Sequence, residues 1–197
     1  MNEQLSFFET AQPIGPKLKL VLAIFPDDYT AQQIRELGKS LRKMHGLPGK
    51  LRPVNHLHVS LPVPRRIVHP PETAIQRIDR ACKAVASIMR PFEIKFDQVM
   101  SFRGRTGNRA VVLVNNDHES DGIMILHRSL FAEFEKISFA ASKTPKFKPH
   151  LTILYDQREL SPQPITPVSW RVKEIVLVLS EDGSTKYHWL GCWAFGE

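Results

Sequence analysis

Two short segments of the chain carry the same pattern, and each closes a run that reads strand, helix, strand. "HLHVSL" contains His58, Val59, Ser60 and Leu61, and "PHLTIL" contains His150, Leu151, Thr152 and Ile153. In an extended strand successive side chains point to opposite faces, so each histidine shares a face with the hydroxyl residue two positions on, while the apolar residues share the other. A chain with two such strands in matched contexts is expected to build two similar halves. Such halves can place their second strands side by side.

The remaining elements support that plan. Residues 17–25 are rich in Leu, Val and Ile and end at Pro26, as a buried strand followed by a turn does. Ile34, Leu37, Leu41 and Met44 recur at helical spacing, and Gly46 closes the pattern. The first motif sits in a strand over 55–63. A helix is expected over 70–90, with Ile75, Ile78, Cys82, Val85 and Met89 on one face. Residues 92–103 and 109–114 form a hairpin around "RGRTGN", a third helix covers about 119–137, and the second motif lies in a strand over 149–155. The Pro-rich 161–167 reads as a linker, followed by strands over 169–180 and 186–195. Residues 1–16 read as an N-terminal tail, and 17–197 as a single bilobal domain. The fold class expected is α+β, a mostly antiparallel sheet with helices on one face.

Composition narrows the function classes. Among 197 residues there are 27 Lys and Arg against 20 Asp and Glu, a formal charge of +7 that favours phosphorylated or polyanionic partners. The two cysteines, Cys82 and Cys192, lie in no CxxC or Cys/His cluster, so neither a disulfide framework nor a zinc site is expected. The longest apolar stretch, "LKLVLAIF", is interrupted by Lys19 and is far shorter than a membrane span. A cytoplasmic monomer without membrane contact is the expectation.

The doubled motif carries the chemistry. Histidine titrates near neutrality, so one imidazole can take a proton while a second gives one. Ser and Thr hydroxyls donate hydrogen bonds to anionic oxygens. Two of each around one phosphate suffice to cleave a phosphodiester by acid-base chemistry without a metal.

The doubled His-x-Ser/Thr, the lead-in "FKPHLT" and the C-terminal "EIVLVLSEDGSTKYHWLGCW" resemble the 2H phosphoesterase superfamily, and within it the bacterial 2′-5′ RNA ligase-like proteins, or RNA 2′,3′-cyclic phosphodiesterases. The resemblance runs from about residue 17 to the end and implies an α+β fold of two pseudo-symmetric lobes of mostly antiparallel sheet, with helices on the outside and a central cleft across which the motifs face each other. It implies His58 and His150 as the catalytic acid and base, Ser60 and Thr152 as phosphate ligands, no cofactor and no metal. The implied substrates are RNA with 2′,3′-cyclic phosphate ends, or cyclic nucleotides, opened to 2′-phosphates, with 2′-5′ ligation as the reverse reaction. It favours His150 as base and His58 as acid, an order that the residues leave open. Ser60 stands where the family more often has Thr, which keeps the hydroxyl. Further candidates for substrate contact are His56, which shares the face of His58, Lys148 and Lys146 beside the second motif, and Arg103, Arg105 and Arg109 near the hairpin turn. Tyr155 falls opposite His150 by strict alternation and reads as a packing residue, as do Trp170, Trp189 and Trp193. His45, His69, His118, His127 and His188 lack any partner pattern. The competing reading is a non-catalytic RNA- or nucleotide-binding module that uses the same cleft. A metallohydrolase is disfavoured because no carboxylate or histidine cluster has ligand spacing.

Overall fold

The computed structural model describes residues 18–61, 63, 70–102, 107–115, 122–137, 147–181 and 187–196. Among these residues eight strands and three α-helices follow in chain order: β1 Leu18–Ile24, α1 Asp28–His45, β2 Val59–Leu61, α2 Glu72–Ala86, β3 Phe92–Ser101, β4 Arg109–Val114, α3 Gly122–Lys136, β5 Leu151–Asp156, β6 Gln163–Val172, β7 Glu174–Glu181 and β8 Tyr187–Ala194. The strands form one sheet in the order β6-β3-β4-β5-β2-β1-β7-β8, and every named pair is antiparallel. Four strands lie on each side of the β5–β2 seam, so the motif strands are neighbours at the centre of the sheet. The α+β class and the antiparallel sheet agree with the expectation from sequence.

Local chemistry fixes the elements. Asp27 caps α1 by accepting from the Thr30 amide at 2.8 Å, and Gly46 ends the helix in the left-handed region at φ 60°. Ile34 and Leu41 are buried on its inner face, but Met44 is 72% exposed and lies off the expected stripe. The apolar faces of α2 and α3 bury Ile78, Cys82 and Val85, and Ile123, Leu126, Leu130 and Phe134. With Leu22, Val59, Leu151 and Leu177 from the sheet they form a single core cluster.

Three expectations are corrected. The first motif strand is only Val59–Leu61, because Val54–His56 forms a 3-10 turn. Residues 163–167 belong to β6 and are not a linker; β6 pairs only with β3, and an edge strand tolerates Pro164 and Pro167 because their missing N–H groups need no partner there. The expected strand over 169–180 is divided at Lys173 between β6 and β7, which pair with different neighbours. Trp170 and Trp193 are buried, whereas Trp189 is exposed.

Candidate active site

The site is built at the seam. Val59 of β2 pairs with Leu151 of β5, and both are fully buried on the core face. Continuing that antiparallel register sets His58 opposite Thr152 and Ser60 opposite His150. Each histidine thus faces the hydroxyl of the other motif, as a local twofold relation requires. All four side chains line one cavity of about 280 Å³ together with Lys19, Val21, Arg52, Tyr155, Ser180 and Tyr187.

Both imidazoles are held in the same way. Nδ1 of His58 lies 2.9 Å from the carbonyl oxygen of His56, and Nδ1 of His150 lies 2.8 Å from that of Lys148. A carbonyl only accepts, so in each ring Nδ1 carries the proton and Nε2 is the nitrogen left for chemistry. The Ser60 hydroxyl is 3.0 Å from Nε2 of His58 and donates to it while that ring is neutral.

The surroundings of the two rings differ. His58 is packed by Phe25, with centroids 5.7 Å apart, and by the edge of Tyr187 at 6.0 Å. Burial pushes its imidazole down to about 4; the bond to the His56 carbonyl opposes that fall, and the charges of Arg52, His56 and His150 add to it. His58 is therefore neutral at physiological pH. His150 packs against Phe102, with centroids 4.8 Å apart.

The other sequence candidates are placed differently. His56 is buried and stacks on Tyr187 at 4.1 Å, so its side chain supports the site from beneath and its carbonyl holds His58; the expectation of a cleft-edge contact is corrected. Lys148 turns its ammonium over the Phe102 ring, 5.6 Å from the centroid, and toward Met100. Arg109 is engaged with the Gln157 carbonyl and with Glu159. Arg103, Arg105, Lys146, His69 and His118 lie outside the described residues. His127 is buried against Phe147, and His45 bonds Gln163.

Tyr155 is the clearest departure from the alternation rule. Val111 pairs with Leu154 while Val112 pairs with Thr152, so β5 carries one extra residue at this point. That bulge buries Ile153 and Leu154 in succession and returns Tyr155 to the cleft, 44% exposed. Arg52 is equally hidden from sequence reasoning. Its amide donates to the Ile153 carbonyl at 2.8 Å, beside a bridge between Leu51 and Leu154, so a residue ahead of the first motif is fastened to the strand of the second. Lys19, Ser180 and Tyr187 carry a weak signal in sequence, each being a polar group on the alternation of an otherwise apolar strand. Among the described residues no three His, Cys, Asp or Glu side chains gather as metal ligands, and no helix is long and apolar enough to cross a membrane.

Comparison with known proteins places this geometry. The fold is similar to TT0787 of Thermus thermophilus, with a TM-score of 0.71 at 20% identity over 90% of this chain and 97% of that one. It is also similar to Escherichia coli LigT complexed with phosphate, at TM-score 0.63 and 22% identity over 92% and 99% of the two chains. Kluyveromyces marxianus Usb1 is more distant, at TM-score 0.54 and 11% identity over 93% and 100%. No curated protein matches the sequence at a significant level. The family model of the 2′-5′ RNA ligase superfamily matches residues 26–184, a span that holds both motifs and most of the sheet, and the chain belongs to that superfamily.

Proposed function

We propose that the protein is a metal-independent phosphodiesterase that opens 2′,3′-cyclic phosphates of RNA ends or nucleotides to 2′-phosphates. The observation that carries this reading is the pairing across the seam, which gathers two imidazoles and two hydroxyls around one cavity with each Nε2 left for chemistry. Family membership and the likeness to a LigT structure that holds phosphate support it.

In this mechanism the cyclic phosphate lies between the motifs, and the hydroxyls of Ser60 and Thr152 donate to its non-bridging oxygens. Ser60 turns from His58 to the phosphate, which frees Nε2 of His58. That neutral nitrogen takes a proton from water, the water oxygen bonds to phosphorus, and the bond from phosphorus to O3′ breaks. The departing O3′ receives its proton from Nε2 of His150, in its imidazolium form. This exchanges the two roles drawn from the resemblance. Its reason is the burial of His58, which disfavours the imidazolium form of that ring. The hydroxyls act where negative charge grows on the phosphoryl oxygens.

The test is turnover of nucleoside 2′,3′-cyclic phosphates in EDTA by the protein and by His58→Ala and His150→Ala. Each substitution is expected to lower kcat by about 10²- to 10⁴-fold, the usual worth of a general acid or base, while phosphate affinity falls much less. A protein that binds these nucleotides but turns none over would favour the binding-module reading.

A further inference from the structure

His58 stands one residue ahead of β2, so the ladder that ties Val59 to Ile24 and to Leu151 begins only after it. The orientation of its ring therefore depends on side-chain packing and on the carbonyl of His56. Tyr187, the first residue of β8, brings packing to that point from the edge of the sheet, with β1 and β7 between its strand and β2.

The Tyr187 ring touches three groups that fix His58. It stacks on His56, with centroids 4.1 Å apart and planes 15° apart, and it meets His58 itself edge to face at 6.0 Å. It also meets Phe25, the other ring against His58, edge to face at 6.4 Å. His56 is the residue whose carbonyl holds Nδ1 of His58, so the stack restrains the anchor while the edge contact restrains the ring. Stacked and edge-to-face pairs each add to what their buried area contributes, and here they converge on one imidazole. The hydroxyl acts on a different group. It accepts from Nη2 of Arg52 at 3.4 Å, and both residues line the cavity. Burial pushes this hydroxyl up from its ordinary value, so it keeps its proton and holds Arg52 as a neutral acceptor. The amide of Arg52 is already fastened to Ile153. That bond sets the backbone, and the hydroxyl of Tyr187 sets the guanidinium.

We propose that Tyr187 is a positioning residue that acts through two groups, its ring orienting His58 and its hydroxyl holding the guanidinium of Arg52 at the cavity. The proposal rests on His58 and Arg52 serving the reaction proposed above. The ring then governs proton transfer, which is read in kcat, and the hydroxyl governs the hold on an anionic ligand, which is read in KM.

Tyr187→Phe and Tyr187→Leu separate the two roles. Each is compared with the unaltered protein by turnover of a nucleoside 2′,3′-cyclic phosphate in EDTA, by calorimetric binding of a nucleoside 2′-phosphate and by NMR titration of the His58 ring, with a thermal melt to establish folding. Tyr187→Phe is expected to keep most of kcat, to raise KM and to weaken the 2′-phosphate by about fivefold, the size of one hydrogen bond. Tyr187→Leu is expected to lose the same affinity and also to lower kcat by about tenfold or more, because the reacting nitrogen is no longer held in line. With one aromatic wall gone, the His58 titration should rise from about 4 toward the ordinary value of about 6.5, and the acid limb of kcat/KM should rise with it. If Tyr187→Leu does not fold, Tyr187→Met, which fills the space without a ring, takes its place. A folded ringless variant with unaltered kcat and His58 titration overturns the proposal, as does a Tyr187→Phe that binds the 2′-phosphate as well as the unaltered protein. Absent turnover of cyclic phosphates, with the titration and the affinity still moved as described, would sink the proposed reaction and leave the positioning intact.

Discussion

His58 and His150 share a backbone anchor and differ in what surrounds their rings, and the proposed division of labour follows from that difference. Packing by Phe25 and Tyr187 holds His58 neutral, with its pKa pushed down to about 4, so this ring is ready to accept a proton at any pH above that value. The sign is testable. Since kcat/KM reports the free enzyme, the loss of activity on acidification that belongs to His58 should come near pH 4 and not near the ordinary histidine value of about 6.5. A pH profile alone does not separate acid from base, because the reverse protonation state gives the same curve. A substrate whose 3′ bridging oxygen is replaced by sulfur does separate them, since a thiolate leaves without a proton. On that substrate His150→Ala should recover most of its lost rate and His58→Ala should not. Rescue of His58→Ala instead would restore the order drawn from the resemblance.

At the scale of elements, the loop between α1 and β2 decides where Arg52 stands. Gly49 lies against β5 so closely that an added Cβ would come 2.1 Å from the Tyr155 carbonyl oxygen, and its amide donates to buried Asp156 at 2.6 Å. Gly49→Ala must therefore push the loop off the strand, and a loss of about 1–3 kcal/mol is expected from such overpacking. A thermal melt checks the stability, and weaker binding of a nucleoside 2′-phosphate checks the displacement of Arg52. An unchanged melting temperature would show that the loop is not clamped. The same elements explain what sequence can and cannot tell. The quartet is legible because alternation ties each histidine to a hydroxyl, and the pairing of β2 with β5 follows from two matched runs. Tyr155 is misread because a bulge has no mark in "LTILYD", and Arg52 is missed because its fastening to Ile153 is a contact between backbones far apart in sequence. The edge position of β6 is hidden by its own prolines, which read as a linker until the sheet order is known.

At the scale of the whole molecule, the sheet is two four-stranded halves joined where β2 meets β5, and the two motifs sit on that join. In the proposed reaction the proton acceptor and the proton donor come from different halves, so the seam must stay closed for it to proceed. Lys19 and Arg52 line the cavity beside the two motifs. The most direct test of this account is the identity of the product from a short RNA ending in a 2′,3′-cyclic phosphate, incubated in EDTA and separated against 2′- and 3′-phosphate standards. A terminal 2′-phosphate, absent when either His58 or His150 is alanine, is the result predicted; a 3′-phosphate, or a 2′-phosphate that persists in both folded variants, would contradict it.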